Sequence, residues 1–571
     1  MTTFRPFKER TTMNSEQNND KGITRRQFVK GTAAGGIAGL VVGAGGTGLL
    51  IQKNAKSRLP DKWDYETDIV VVGTGFAGSN AAIFGHDSGA EVMMLEKAPE
   101  QYAGGNSGVS GGGLTIPSKV LDAVEYYRAL SFGTVPDELC RDIAEAMTKV
   151  PEQLESIGIK IAPVRFFGNP PSGSKPSVKR PVRGASGLSL LPGAGNNTIH
   201  ALLREGETVP MVETGHDLYL AHKKCIQERN IQVLYETPVT QLIQDPETNA
   251  VLGVLAEREG KQIAVKGRKA VVLACGGYQA NYEMQGYFNY PGIKIYPWGT
   301  PYNTGDGIKM ATEAGADLWH MCSIEWDGPC VKAPSEQFGV SIQTSVCTVR
   351  AITGNYIIVN KYGKRFMDDS KSLTHTKESL ELTYFDHERV EYPNIPFYII
   401  FDETFRLRHR LVPKKNMCWN GVHEVVDWSA DNSAEIEKGW ILKADRINEL
   451  AEKTGVDAPE LVETVSRYNQ YCKNREDEEF GRRKQLLYPL ETPPYYSAEL
   501  ALTCTNTQGG PKHNGKAQTL DKDNNPIPRL YTPGELGSFF GFLYPGGSNI
   551  PEAISFGRIA GQNAASEEPW V

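Results

Sequence analysis

Residues 67–100 read TDIVVVGTGFAGSNAAIFGHDSGAEVMMLEKAPE. An apolar, β-branched run ends at Gly73-Thr74-Gly75-Phe76-Ala77-Gly78, a helical pattern follows, and a second apolar run closes on Glu96. Strand, glycine-rich turn, helix, strand and acid in that order make the fingerprint of a dinucleotide-binding unit. Gly73 permits the tight turn, Gly75 lets a pyrophosphate approach the backbone, and Gly78 lets the helix pack closely on its strand. Glu96 is placed to accept hydrogen bonds from a ribose. The glycines alone would say little; both strands and the acid give them their context.

Beyond Glu96 comes a second glycine-rich stretch, APEQYAGGNSGVSGGGLTIP (98–117), suited to run along an extended cofactor. Far along the chain, PRLYTPGELGS (528–538) offers another strand and a Gly-Glu pair. Two phosphate-proximal loops and a returning C-terminal loop fit FAD rather than NAD, lying extended with its ring near the chain end.

The whole chain sets bounds on this reading. At 571 residues it exceeds one hydrophobic core, so two or three domains are expected. A net charge of −7, with no basic stripe outside the N-terminus, argues against nucleic acid as a partner. The nine cysteines form no CxxC and no CxxCH, which argues against a disulfide framework and a fused c-type haem. Cys322, Cys330, Cys347 and Cys504 stay open as cluster ligands, although their spacing matches no ferredoxin pattern.

The N-terminus is not fold. In TRRQFVKGTAAGGIAGLVVGAGGTGLLIQ (24–52), Arg25, Arg26, Phe28 and Lys30 precede a weakly apolar run rich in Gly and Ala, the pattern of a twin-arginine export signal. The twin-arginine translocase carries folded proteins, which suits a cofactor inserted before export. Lys53 stands where a cleavage site wants a small residue, so retention as a tether is open. The expected location is the periplasm or the outer face of the cytoplasmic membrane.

The sequence resembles the flavoproteins of the fumarate reductase and 3-ketosteroid dehydrogenase superfamily. The resemblance runs from about residue 66 to 567. It rests on the opening fingerprint, GGNSGVSGGG, VVLACGGY (271–278), NTGDGIKMATEAGA (303–316), NKYGKRF (360–366), YTPGELG and ISFGRIAGQNAA (554–565). It implies an α/β fold: a discontinuous, doubly wound FAD-binding domain at 60–325 and 495–571, with an inserted α+β capping domain at 326–494. Residues 1–59 would be signal and linker. The FAD-binding positions expected are Gly73, Gly75, Ala77, Gly78, Glu96, Lys97, Gly104, Gly105, Asn106, Ser107, Gly112, Gly113, Val239, Gly276, Asp306, Glu535, Ser548 and Ile550.

Fumarate reductases of this superfamily grip a dicarboxylate with two histidines and an arginine, and protonate it with a second arginine. By motif, those positions hold Asp327 in LWHMCSIEWDGP, Asn506 in NTQGG, Tyr544 before the last Gly-Gly, and Leu373 in RFMDDSKSLTHTKE. One aspartate and no cations make a poor cradle for a dianion. LYPGGSNIPEAISFGR (543–558) instead looks like the ketosteroid dehydrogenase turn, in which a tyrosine hydroxyl and a backbone N–H four residues later hold a ketone oxygen. Carried over, Tyr544 O–H and Ser548 N–H polarise a substrate carbonyl, with Asn506 and Asp327 nearby. Proton-donor candidates are His375, Tyr356 and Tyr384; Arg365 and Arg350 read as structural cations.

The function expected is reduction of a C=C bond conjugated to a carbonyl, with electrons from a separate envelope carrier such as a cytochrome or a quinol-linked protein. Oxidative ketosteroid dehydrogenation, reduction of an unsaturated carboxylate and non-catalytic electron carriage are the alternatives.

Overall fold

The computed structural model describes residues 59–164, 188, 191–335, 340–345, 354–369, 381–412 and 417–570. The twin-arginine stretch, Arg350, Leu373 and His375 lie outside them. Among the described residues no helix is long and apolar enough to cross a membrane.

The run YETDIVVV forms the strand Tyr65–Val72, whose last four residues are fully buried on both faces, as a central parallel strand requires. It pairs in parallel with Val92–Leu95 on one side (Ile69↔Val92) and with Lys261–Leu273 on the other (Val72↔Leu273). The late strand Pro526–Tyr531 adds in parallel to Lys261–Leu273 through Leu530↔Val271. Residues more than 400 positions apart therefore share one sheet, and the domain is discontinuous as expected. An antiparallel pair, Val239–Gln244 and Val251–Arg258, extends from Lys261–Leu273, and Gln232–Leu234 beside Val92–Leu95 and Gln518–Leu520 beside Pro526–Tyr531 complete eight strands.

The terminal helix Asn549–Ser566 lies directly on the fingerprint helix Phe76–Asp87. Small residues make the approach possible: a Cβ on Gly557 would sit 2.4 Å from Ala77 O, and one on Gly561 2.2 Å from Ala81 O. This contact carries the Tyr544 turn to the mouth of the fingerprint.

A second sheet has seven strands, in the order Val340–Ser345, Ile324–Ser335, Tyr495–Thr507, Phe397–Asp402 and Tyr356–Asn360, with Tyr296–Pro297 and Leu442–Ala444 also on Tyr495–Thr507. Helices Ile447–Thr454 and Ala458–Asn474 bury Leu450, Leu461 and Tyr468 against one of its faces. This is the α+β architecture expected for the cap, with different boundaries. Residues 495–507 form its central strand, not the start of the returning FAD-binding segment. The reason is length: one 13-residue strand pairs with Phe397–Asp402 in its first half and with Ile324–Ser335 in its second. No break in sequence pattern marks where it leaves the cap for the cavity.

Candidate active site

Between the two sheets lies a cavity of about 470 Å³. At one end Gly73 turns the chain at φ +101°, and a Cβ there would stand 2.4 Å from Ala274 O. Glu96 is held facing the cavity: Thr74 N–H and Oγ1–H donate to its Oε2 at 3.0 and 2.6 Å, and Ala98 N–H to its Oε1 at 2.9 Å. Lys97 Nζ donates to Thr304 Oγ1 and Asp306 Oδ2 at 2.6 and 2.7 Å beside it.

Midway, three distant segments meet on Glu535. Its carboxylate accepts from Asn106 Nδ2 (3.1 and 3.0 Å), Gly277 N–H (3.1 Å) and Asn303 Nδ2 (3.3 Å). Withdrawal from water outweighs these donors and pushes the carboxyl up to about 7. Asn106 Oδ1 in turn accepts from Gln279 Nε2 and Thr300 N–H. A Cβ on Gly299 would come within 2.1 Å of that oxygen, so only glycine passes there.

At the far end the turn Gly546-Gly547, at φ +74° and +66°, opens the terminal helix. Thr115 pins it, N–H to Gly547 O at 2.8 Å and Oγ1–H to Gly546 O at 2.7 Å. The Tyr544 hydroxyl oxygen accepts the first helical amides, Ser548 N–H at 3.0 Å and Asn549 N–H at 3.2 Å. Burial keeps this phenol protonated by raising its pKa, against the opposing pull of the two amides.

This arrangement corrects one expectation. Ser548 N–H does not face the cavity beside Tyr544 O–H; it donates to the tyrosine's own oxygen, because the double-glycine turn brings the helix end beneath the ring. Ser548 itself is buried away from the cavity lining. The tyrosine becomes the relay, with the helix end polarising a single O–H donor.

Behind it sits a buried amide network. Asn506 Nδ2 and Gln508 Nε2 donate to Asn549 Oδ1 at 3.2 and 3.0 Å, and Asn549 Nδ2 donates to Glu552 Oε2 at 3.0 Å. Glu552 also accepts from Ser538 Oγ–H and Phe539 N–H, and burial pushes it up to about 7.

Of the expected cofactor positions, all line the cavity except Gly78 and Ser548. Gly78 does what its fingerprint place implies, packing the helix so tightly that a Cβ would fall 2.0 Å from Gly73 O. Asn506 and Tyr544 line the other end. Asp327 lies at a register shift in Ile324–Ser335, and its side chain is outside the described residues.

Tyr356 is a correction. It is 1% exposed in the cap core, its Oη donates to Asp369 O at 3.2 Å and its ring lies 4.6 Å from the Arg482 guanidinium, so it cannot reach a substrate. Strand alternation packs it with Ile358, Phe401 and Phe405, and none of the four lines the cavity. Tyr384 stands on the surface, 56% exposed, outside the cavity lining. Arg365 is structural, held bidentately by Asp477 at 3.0 and 2.8 Å. Cys330 is buried against Thr503 Oγ1 while Cys322 is exposed, and among the described residues no group is placed to hold a metal.

The sequence reading missed Glu213, Trp298, Tyr302 and Met417, all on the cavity wall. Trp298 and Tyr302 carried a signal, standing just before NTGDG. Glu213 and Met417 carried none, since each comes from a loop whose place depends on the tertiary fold.

The glycine cradle and the anchored ribose-facing glutamate fit FAD, and together with the relatives that follow they make the protein an FAD-dependent oxidoreductase acting on CH–CH groups. The sequence profile of the FAD binding domain family matches residues 68–550, and the chain belongs to that family. It is 29% identical over 514 residues to the "Probable fumarate reductase Ifc3" of Shewanella frigidimarina, covering 87% of this chain and 75% of that one. It is 27% identical over 587 residues to the 3-oxosteroid 1-dehydrogenase of Mycolicibacterium smegmatis, covering 88% and 97%. Its fold is similar to the crystal structure of 3-ketosteroid Δ1-dehydrogenase from Sterolibacterium denitrificans, with a TM-score of 0.70 at 24% identity, covering 88% and 99%.

Proposed function

We propose that the protein reduces a C=C bond conjugated to an uncharged carbonyl, on the outer side of the cytoplasmic membrane, with electrons from a separate envelope carrier. One observation carries the substrate class. Among the described residues lining the cavity the sole Lys, Arg or His is Lys97, tied to Asp306 at the Glu96 end. The Tyr544 end offers a polarised hydroxyl and two carboxamides, Asn506 and Asn549. A dicarboxylate there would meet no cation among the described residues; a ketone oxygen would meet a matched donor.

Bound FAD supplies hydride chemistry to this cavity. The chain's part is electrostatic. Tyr544 O–H donates to the carbonyl oxygen and strengthens that bond as negative charge develops on it, while the amides of Ser548 and Asn549 hold the phenol oxygen in place. Asn506 and Asn549, fixed by Gln508 and Glu552, orient the substrate's polar edge. The apolar wall of Ile199, Val212 and Met417 excludes water around it. The paired arginines Arg25 and Arg26 support export.

The test is anaerobic: FAD-loaded protein with reduced viologen, offered fumarate, a 4-ene-3-ketosteroid, a cinnamate and a butenolide. Oxidation with an uncharged enone and none with fumarate is expected. Rapid turnover of fumarate would sink the reading. The 27% identity to a 3-oxosteroid 1-dehydrogenase along 97% of its length favours a second direction, oxidation of a saturated ketone. Reduction of an artificial acceptor by a 3-ketosteroid, faster than the viologen reaction, would establish it.

A further inference from the structure

Glu213 stands on the wall of the substrate end, and the reading above gives it no task. Its backbone lies in the left-handed region at φ +75°, a strained conformation for a residue with a long side chain. Two layers fix it there. Its N–H donates to Gly111 O at 2.6 Å, and the next glycine, Gly112, is packed so closely that a Cβ would meet Gly215 N at 2.4 Å. The glycine segment then touches the Tyr544 turn: a Cβ on Gly547 would lie 2.9 Å from Gly113 O. Glu213, the triple glycine and the Gly546-Gly547 turn are thus consecutive layers of one wall.

The half-buried side chain lines the cavity beside Val212 and Ile199, and among the described residues its carboxylate has no hydrogen-bond or ion-pair partner. When a ligand displaces water from this wall, a carboxylate left without a donor costs free energy, and one given a donor recovers it. Backbone strain, a place on the cavity wall and an acceptor without a partner among the described residues meet in this one residue.

We propose that Glu213 is a substrate-recognition residue, accepting a hydrogen bond from a protonated amine or a hydroxyl that the substrate carries away from its carbonyl. This rests on the carbonyl reading of the Tyr544 end. It adds a second point of attachment of opposite polarity, so that the preferred substrate has an acceptor at one end and a donor at the other. It also adds a repulsive term against anionic substrates.

The experiment uses the FAD-loaded full chain and Glu213→Gln, with three enones identical except for a primary amine, a hydroxyl or a methyl at one remote position. Binding is read from protein fluorescence and the flavin absorption shift, independently of turnover. Wild type should prefer the amine, then the hydroxyl. In Glu213→Gln the amine ligand should bind about ten- to a hundredfold more weakly, the hydroxyl a few-fold, and the methyl ligand unchanged. Equal binding of all three by both proteins would overturn the proposal. So would unchanged binding with a fall in turnover of all three, which would make Glu213 a proton-exchange group instead. Tyr544→Phe separates the two readings. If the carbonyl reading is wrong, that variant keeps its turnover, and the amine preference of the Glu213 carboxylate is still measurable.

Discussion

The two ends of the cavity are built in different ways. At the Glu96 end the parts are neighbours in sequence: Gly73, Thr74, Glu96 and Ala98 come from one βαβ unit, and backbone geometry determines what they can be. At the Tyr544 end the wall is assembled from residues 111–113, 199, 212–213, 417, 505–506, 544–547 and 549–550. Side-chain hydrogen bonds, and not backbone φ values alone, decide what that wall can do. A local unit can be read from spacing. An assembled one has to be seen.

The largest effect is expected where backbone geometry is least forgiving. Gly73→Ala places a Cβ 2.4 Å from a carbonyl oxygen, at a φ that L-residues avoid. Overpacking and left-handed strain together cost about 2–5 kcal/mol. The purified variant should retain little flavin, measured by its visible absorbance, and melt lower. Gly260→Ala is the control: it shares a positive φ of +72° in a hairpin turn, but a Cβ there meets nothing within 4 Å. It should keep full flavin. Equal flavin loss in both would mean that strain, not the close approach, governs the fingerprint.

At the assembled end, Tyr544→Phe removes the one hydroxyl that the helix amides organise. A fall in kcat of about 10²–10³-fold is expected with a smaller change in KM, as for loss of an oxyanion donor. Ser548 and Asn549 N–H lose their acceptor as well, which should lower stability by about 1–3 kcal/mol. A stability loss with unchanged kcat would reduce Tyr544 to a helix cap and break the contrast between the two ends.

These two predictions also mark what was legible in the sequence. The fingerprint, the second glycine stretch and Glu535 were readable because glycines and a buried acid are demanded by close approach, whatever surrounds them. Tyr544 was readable as a residue and misread in its bonding. Its partner amide was carried over from the ketosteroid dehydrogenase turn that the stretch resembles, whereas the turn as folded here decides which way that amide points. Tyr356 was chosen for its chemistry alone, and the side of the sheet it faces follows from the register Tyr356↔Phe401. Glu552 gave no sign at all; an acid in the first turn of a helix is ordinary until burial and three donors are seen around it.

That buried acid gives a pH signature. A glutamate ordinarily titrates near 4.5, and burial holds Glu552 at about 7. Below 4.5 folded and unfolded chains both carry the proton, so the folded state has no penalty. As pH rises toward 7 the unfolded chain releases its proton first, and stability falls by up to about 3 kcal/mol. Glu552→Gln does not titrate, and its melting temperature should vary less between pH 4.5 and 7.5 than that of wild type. Its amide also turns an N–H2 toward one of the three donors, an offset independent of pH. Parallel curves for the two proteins would show that Glu552 ionises normally and that the amide network is wetter than its burial implies.

The smallest effect belongs to the residue that chemistry favoured and geometry removed. Tyr356 is an acid of suitable type, but its hydroxyl is spent on Asp369 O at 3.2 Å. Its ring lies against Arg482, whose Nη1 donates to Tyr356 O at 2.9 Å and to Asp369 Oδ1 at 3.1 Å. Tyr356→Phe keeps the ring and the cation–π contact and deletes one neutral hydrogen bond, a loss of about 1 kcal/mol in stability. Activity should stay within about twofold of wild type, because its neighbours Asp369, Arg482 and Phe405 are not on the cavity lining. A large fall in kcat without a matching loss of stability would mean that the cap closes on substrate through this layer. The cap would then join the Tyr544 wall as part of the catalytic surface.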